Sequence, residues 1–256
     1  MKKTYQNKNP IQHKDKLYIY GEHCVLSALV NNKRKIHTIY TTEKNFNLIK
    51  NKVNELNKNI PIQIQTPQSL DSMMMQDENH QGLVALVDKL PYENLKIVLN
   101  NLDNDNQEKI IFLMLDQVTD TRNIGAIIRT AVAFNVEGII FNNTNFPQEN
   151  SQMVRASVGT IEKIKLIEVS NLVNAIEVLK EDGFWVFGLD SHSKDKINHI
   201  KDFKKVVLVL GSEDRGIRDL TKKNCDMLCK IPMHNNVESL NISNACAIAL
   251  YEISSK

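Results

Sequence analysis

The C-terminal stretch Ile231-Pro-Met-His-Asn-Asn-Val-Glu-Ser-Leu-Asn-Ile-Ser-Asn-Ala-Cys-Ala-Ile-Ala-Leu-Tyr-Glu252 is the part of the sequence around which the predicted fold is organised. It reads as a strand, a polar loop, and a helix whose residues from Leu240 to Leu250 are almost all small or apolar. A helix that is apolar on most faces must pack against several neighbours. Ser239 and Asn241 stand where the loop becomes the helix, and taken alone they indicate an ordinary helix cap.

The composition is that of a globular protein, with 42% hydrophobic and 24% charged residues in a chain of 256. The sequence has no apolar run of about 18 residues, which predicts no membrane span. Its first ten residues lack the apolar segment of a signal peptide, so we expect a cytoplasmic protein. Four cysteines, Cys24, Cys225, Cys229 and Cys246, form no C-x-x-C pair, so we predict reduced, packed thiols and no metal site.

Basic residues are concentrated at the N-terminal end of a chain whose net charge is only +2. Residues 1–60 contain 12 Lys and Arg against four Asp and Glu, whereas the remainder contains 20 against 26. Such an asymmetry favours a polyanionic partner such as a nucleic acid. Lys33, Arg34 and Lys35, close to His37, are the best candidates for contacts with a nucleic acid, and the alternative is a solvated lysine-rich turn.

Two series of alternating strand and helix patterns predict two α/β domains. Residues 1–16 are predicted to be a flexible basic tail, residues 17–90 the first domain, and residues 91–109 a polar linker. The second domain, residues 110–256, has continuous apolar strands at 110–115, 138–141, 184–189 and 205–210. Such strands favour a parallel sheet covered on both faces, in which ligands bind beyond the carboxyl ends of the strands.

The first of these strand ends leads into Leu115-Asp-Gln-Val-Thr-Asp-Thr-Arg-Asn-Ile-Gly-Ala-Ile-Ile-Arg-Thr-Ala-Val-Ala133. Asn123 stands at the start of a predicted helix, and Arg129 follows six residues later among apolar residues. Because its neighbours in sequence are apolar, we expect Arg129 not to be fully exposed. An arginine there would suit a phosphate through paired hydrogen bonds, and the alternative is a side chain that reaches out to solvent.

A second strand end carries Val209-Leu-Gly-Ser-Glu-Asp-Arg-Gly-Ile217. Gly211 and Gly216 have the spacing of a phosphate-binding loop, but Ile217 replaces the lysine that such a loop needs, and Glu213 would repel phosphate. The sequence also has no G-x-G pair, so the dinucleotide fingerprint is absent. A loop bounded by glycines that carries a carboxylate suits a ligand with hydroxyl groups or positive charge.

These three stretches, in this order and spacing, resemble the motifs of the SpoU (TrmH-type) RNA 2′-O-ribose methyltransferases of the SPOUT superfamily. The resemblance covers residues 110–256, and residues 17–90, with Tyr20-Gly21, Val25-Leu26 and His80-Gln81-Gly82, resemble the substrate-binding domain of the ribosomal-RNA branch. It implies a Rossmann-like parallel α/β fold with a C-terminal trefoil knot, a feature otherwise nearly absent from proteins. It also implies S-adenosylmethionine as cofactor and a homodimer.

By motif position, the resemblance implies cofactor contacts from Gly211, Ile231, Met233 and Leu240. It implies catalytic or substrate-positioning roles for five residues: Asn123, Arg129, Glu213, Ser239 and Asn241. In this reading Arg129 grips the target phosphate and Asn123 orients it, while Glu213 orients either Arg129 or the target base. Ser239 and Asn241 would hydrogen-bond the ribose or the carboxylate of the cofactor.

The motifs depart from the family pattern at Thr121, Asn135 and Asn244, where proline, glycine and an apolar residue respectively are common. These departures bear on the choice of substrate more than on the type of reaction. The resemblance implies methylation of a guanosine in 23S rRNA, since the fused first domain and the total length are those of the ribosomal-RNA branch. The alternatives are a tRNA guanosine 2′-O-methyltransferase and a non-catalytic RNA-binding protein of the same fold.

Overall fold

The computed structural model describes residues 15–74, 79–102, 109–234 and 239–255. The predicted basic tail, residues 1–16, lies almost entirely outside these ranges. The chain divides into two compact units, with the boundary between Leu90 and Pro91. None of the helices within the described ranges is long and apolar enough to cross a membrane.

The first unit is a four-stranded sheet with helices. Its elements are β1 (Lys16–Tyr20), α1 (Glu22–Val30), β2 (Ile36–Thr41), α2 (Glu43–Glu55), β3 (Ile62–Ile64), α3 (Pro67–Asp71) and β4 (Leu83–Asp88). The strand order is β1-β4-β2-β3, with β4 antiparallel to both of its neighbours and β2 parallel to β3. Alternate residues of β1, such as Leu17 and Ile19, are buried in the core because side chains along a strand point to opposite faces.

The turn His80-Gln81-Gly82 fastens the start of β4 to two helices. The side-chain oxygen of Gln81 accepts the backbone N–H of Glu22 at the start of α1, at 3.1 Å. The carbonyl oxygen of Gln81 accepts Asn45 Nδ2 of α2 at 2.8 Å. Gly82 adopts a φ of +74°, a conformation that favours glycine, and its N–H donates to His80 Nδ1. The turn therefore links the start of β4 to α1 and α2.

The second unit is built on a six-stranded sheet. After α4 (Leu95–Asn100) its elements are β5 (Ile110–Asp116), α5 (Thr121–Ala133), β6 (Gly138–Asn142), α6 (Ser151–Ala156), β7 (Lys165–Val169), α7 (Leu172–Glu181), β8 (Trp185–Leu189), β9 (Lys205–Gly211), α8 (Asp219–Asn224), β10 (Met227–Cys229) and α9 (Ile242–Ser254). Two 3₁₀ helices lie at Thr160–Lys163 and Ile197–Asp202. The strand order is β10-β8-β9-β5-β6-β7 and every pairing is parallel, which confirms the predicted α/β fold.

The central strands of this sheet are apolar along their whole length because helices cover both faces. All residues of β5 after Ile110 are buried, as are the five inner residues of β9. Parallel pairing places the carboxyl ends of β8, β9 and β5 side by side at one edge of the sheet. This edge is where the polar loops identified in the sequence come together.

The range predicted as a linker contains a helix. Residues 95–100 form α4, and Leu95, Val98 and Leu99 are buried in the core of the second unit. Asn94 caps the helix by accepting the N–H groups of Lys96 and Ile97. The polar run that follows suggested a loop, although the apolar residues at positions 95, 98 and 99 already have helical spacing.

Candidate active site

A cavity of about 320 Å³ opens at the carboxyl ends of β8 and β9. Its walls are the loop after β8, the loop after β9 and the segment that leads into α9. The lining combines apolar side chains with a few polar groups, as small-molecule sites do. The apolar part consists of Leu189, Leu210, Ile217, Ile231, Met233, Leu240, Ile242 and Ala245.

The four residues predicted to contact a cofactor all line this cavity: Gly211, Ile231, Met233 and Leu240. Two of the predicted catalytic residues, Glu213 and Ser239, line it as well. Residues 235–238, between Met233 and Ser239, lie outside the described ranges.

The loop formed by residues 211–217 folds back on its own starting point. Gly216 donates its N–H to the carbonyl oxygen of Ser212 at 2.9 Å, which closes the loop. A Cβ atom added at Gly211 would lie 2.0 Å from the carbonyl carbon of Gly216 and 2.1 Å from the nitrogen of Ile217. Only glycine fits at position 211, because the obstructing atoms belong to the backbone and cannot rotate away. Gly211 therefore serves a close approach between two parts of the backbone.

Glu213 joins three parts of the second unit through one carboxylate oxygen. Its Oε1 atom accepts Asn123 Nδ2 of α5 at 3.1 Å and Asn241 Nδ2 at 2.7 Å. The same oxygen accepts the backbone N–H of Ile242, the first residue of α9, at 3.1 Å. Among the described residues, Oε2 has no hydrogen-bond partner and is left available to a ligand. The start of α5, the loop after β9 and the start of α9 thus meet at one carboxylate.

The two asparagines of this cluster are held in one orientation. Asn241 Nδ2 also donates to Asn123 Oδ1 at 2.9 Å, while Asn241 Oδ1 accepts the N–H of Ser243 at 3.0 Å and so caps α9. The predicted helix cap and the predicted site are therefore the same residue. Asp120 caps α5 in a similar way by accepting the N–H groups of Arg122 and Asn123, which fixes the position of Asn123.

Arg129 lies apart from this cluster, and the expectation that it is not fully exposed was wrong. Its side chain is exposed and makes no hydrogen bond or ion pair with any part of the chain that the structure describes. Six helical residues separate it from Asn123 by about 9 Å along α5 and by about a third of a turn around it. Its apolar neighbours Ile127 and Ile128 are buried and point in other directions around the helix, so they do not surround it.

The basic triplet of the first unit does not form one surface patch. Lys33 and Lys35 are exposed, but Arg34 is only 3% exposed. Arg34 donates from NH1 to the carbonyl oxygen of Asp88 at the end of β4, at 2.8 Å. The prediction of an RNA contact at Arg34 was wrong, because its side chain points inward and donates a hydrogen bond to the backbone at the end of β4. Lys33 and Lys35 remain candidates for contacts with RNA.

The loop after β8 is a wall of the cavity that the sequence analysis missed. Asp190 accepts Lys222 Nζ at 2.7 Å and the N–H of His192 at 2.9 Å. Burial favours the neutral acid, but these hydrogen bonds outweigh it and hold the pKa of Asp190 below its usual value. The available signal was the polar run that begins at Asp190 directly after a buried strand, the same signal that identified the loop after β9.

The cysteines offer no reactive thiolate to this site. Burial raises the pKa of Cys225, Cys229 and Cys246 to about 12 each, so these thiols are neutral at physiological pH. Within the described ranges, no three His, Cys, Asp or Glu side chains are grouped so that they could hold a metal ion. The polar side chains available to a ligand around the cavity therefore carry carboxylate, amide and hydroxyl groups.

Both units match known protein families. The sequence model of the SpoU rRNA Methylase family matches residues 110–251. The model described as RNA 2′-O ribose methyltransferase substrate binding matches residues 18–93. The two matches together cover most of both compact units.

Curated relatives and solved structures agree with these matches. A putative TrmH family tRNA/rRNA methyltransferase, YacO of Bacillus subtilis, is 33% identical over 92% of this chain and 94% of its own. The 23S rRNA (guanosine-2′-O-)-methyltransferase RlmB of Coxiella burnetii is 32% identical over the same shares of the two chains. An AdoMet-bound rRNA methyltransferase from Sinorhizobium meliloti superposes with a TM-score of 0.77 at 24% identity, covering 94% of this chain and 87% of that one.

Proposed function

The chain belongs to the SpoU rRNA methylase family, RNA methyltransferases that use S-adenosylmethionine, and on that premise we propose that it methylates the ribose 2′-hydroxyl of a guanosine in 23S rRNA. The substrate-binding match over residues 18–93 supports a ribose target. The C. burnetii relative, whose name specifies a guanosine of 23S rRNA, supports the choice of nucleotide and RNA. We place this activity in the cytoplasm, where a bacterial-type ribosomal RNA would be available.

The cavity suits S-adenosylmethionine in size and in chemistry. Its volume lies at the lower end of the range for small-molecule sites. Apolar side chains such as Ile231, Met233 and Leu240 can enclose an adenine ring, and the backbone of residues 211–217 offers hydrogen-bonding groups. Glu213 places a carboxylate where a positively charged ligand would be favoured. When bound, the cofactor supplies an electrophilic methyl group, so the protein's task is to orient the hydroxyl that receives it.

The hydrogen-bonded cluster is the single observation that carries this proposal. Asn123, Glu213 and Asn241 hold one another at the mouth of the cavity, which leaves Glu213 Oε2 to accept a donor of the target nucleotide. Ser239, beside the cavity, can hydrogen-bond the ribose. Positioning of this kind can supply much of the rate enhancement of a transfer reaction.

We assign Arg129 to the phosphate next to the target ribose. A guanidinium group is effectively never deprotonated in proteins, so Arg129 does not serve as the base. Its two parallel N–H donors suit a phosphate and can stabilise the negative charge that forms on the 2′-oxygen. The proton then passes to the phosphate or to water.

Arg129 can serve a site of this kind in a homodimer. α5 and α9 pack against each other and start at the cluster. On α9, Ile248 and Tyr251 are 42% and 66% exposed, an apolar surface that a second copy would cover. We propose that this surface is the dimer interface and that each cavity receives Arg129 from the partner copy. The trefoil knot implied by the family resemblance stays a prediction.

Methyl transfer from labelled S-adenosylmethionine tests the proposed substrate. Protein-free 23S rRNA and bulk tRNA are offered separately, and we expect label in rRNA only. Arg129→Ala is expected to remove transfer while leaving cofactor binding intact, because we assign Arg129 to the RNA phosphate and not to the cofactor. Arg129→Lys is expected to restore little of the methyl transfer that Arg129→Ala loses, since lysine lacks the paired donors. Label in tRNA alone would overturn the choice of RNA, and full activity of Arg129→Lys would contradict the phosphate grip.

Mixing two inactive variants tests the shared site. In a heterodimer of Arg129→Ala and Glu213→Ala, one cavity combines the intact Glu213 of one copy with the intact Arg129 of the other. After subunit exchange in equal amounts, half of the dimers would have one working cavity, so we expect about a quarter of wild-type activity to return. No recovery, with subunit exchange confirmed by differently tagged copies, would show that each chain uses its own Arg129.

A further inference from the structure

Asp116, the last residue of β5, is fully buried, and within the described ranges its carboxylate is hydrogen-bonded by Arg218 alone. Its Oδ2 atom accepts the backbone N–H of Arg218 at 3.0 Å, and its Oδ1 atom accepts Arg218 Nε at 2.7 Å. A buried carboxylate is stable in a protein when it is paired and hydrogen-bonded. Both of its oxygens are used to hold one point of the chain, 102 residues further on.

Arg218 directly follows the loop formed by residues 211–217, which we call the cavity loop. Asp116 is directly paired with Gly211 across the β5–β9 ladder, so the loop leaves the sheet beside Asp116. It returns beside the same residue at Arg218, and every residue from 211 to 217 lines the cavity. The loop is thus fastened at both ends to the last residue of β5, through strand pairing at its start and through the buried carboxylate at its end.

We infer that Asp116 is a positioning residue for cofactor binding, which acts by holding the returning end of the loop at Arg218. The carboxylate does not line the cavity itself. It fixes the backbone of Ile217 and Gly216 against Gly211, and with it the orientation of Glu213 at the tip of the loop. This assignment rests on the use of S-adenosylmethionine and is independent of which RNA is methylated.

The same contact separates the roles of the two arginines in this stretch. Arg218 is committed to Asp116 through its Nε atom. Arg215, at the tip of the loop, lines the cavity and makes no side-chain hydrogen bond to the described part of the chain. Arg218 therefore belongs to the framework of the loop.

Asp116→Asn tests this inference because it keeps the size of the side chain and removes one acceptor. The new amide group would direct N–H atoms at an N–H donor of Arg218. We expect the dissociation constant for S-adenosylmethionine, measured by calorimetry, to rise by about tenfold or more. We also expect the backbone amides of residues 212–218 to exchange hydrogen faster in the cofactor-free protein, since the loop is no longer held.

Asp226→Asn is the matched control. Asp226 likewise accepts a backbone N–H, that of Val186 at 2.8 Å, and a cationic side chain, Lys180 at 2.7 Å. It lies at the opposite end of β8 from the cavity. We expect this variant to lose thermal stability but to bind S-adenosylmethionine with wild-type affinity and to leave the exchange of residues 212–218 unchanged.

Two results would overturn the inference. One is wild-type cofactor affinity in Asp116→Asn, and the other is an equal loss of affinity in Asp116→Asn and Asp226→Asn, which would indicate general destabilisation. If Asp116→Asn does not fold, Arg218→Gln takes its place, because it keeps the backbone hydrogen bond and removes the charged one. A smaller rise in the dissociation constant is then expected, and an unchanged value would contradict the positioning role.

Discussion

Gly211→Ala is expected to weaken the binding of S-adenosylmethionine by about 100-fold or more. The added Cβ would lie 2.0 to 2.4 Å from three backbone atoms of Gly216 and Ile217. Side chains can move to relieve an overlap, but here the backbone of the cavity loop itself must move away. The loop would then lose its closure between Ser212 and Gly216, and the cavity wall would change shape. Calorimetric titration of the purified variant with the cofactor measures the effect.

Gly216→Ala provides the comparison within the same loop. Gly216 has a φ of +66°, but an added Cβ would meet no atom within 4 Å. This substitution imposes only the strain of a left-handed conformation on alanine, about 1 kcal/mol. We therefore expect a much smaller loss of affinity than at Gly211. Equal affinities in the two variants would show that the close backbone approach at Gly211 is not what shapes the cavity.

The sequence was sufficient to predict the parallel sheet because its central strands are uninterrupted apolar runs. It also indicated which loops would carry polar groups, since carboxyl ends of parallel strands lie at one edge. It could not indicate that Glu213 contacts Asn123 and Asn241 and not Arg129. Which residues Glu213 contacts depends on the direction in which each side chain of α5 points. It also depends on the conformation of the loop formed by residues 211–217, whose end is held by the contact between Asp116 and Arg218, 102 residues apart in sequence.

Local sequence context was misleading where a side chain serves a distant partner. Arg34 stands between two exposed lysines, and only the strand end at Asp88 explains why it is buried. Arg129 stands among apolar residues, yet helical geometry directs it outward. In both cases the chemical type of the neighbours along the chain was a poor guide to the environment of the residue, because the neighbours point in other directions.

Glu213→Ala is expected to lower kcat/KM for methyl transfer by about 100-fold, the usual consequence of displacing reacting groups by about 1 Å. The substitution removes the acceptor shared by Asn123, Asn241 and the N–H of Ile242. The starts of α5 and α9 would no longer be tied to the cavity loop. Rates are measured with saturating and with limiting RNA, so that kcat and KM are obtained separately.

Glu213→Gln distinguishes the framework role of this residue from the role of its charge. Glutamine keeps one oxygen that can accept the three N–H groups, but it is neutral and replaces Oε2 by an amide donor. Hydrogen bonds to a charged acceptor are stronger than those to a neutral one, so we expect kcat/KM to fall by about tenfold. If glutamine were as damaging as alanine, the free oxygen Oε2 and its charge would be the essential feature. If glutamine retained full activity, the carboxylate would act only as the point where the three segments meet.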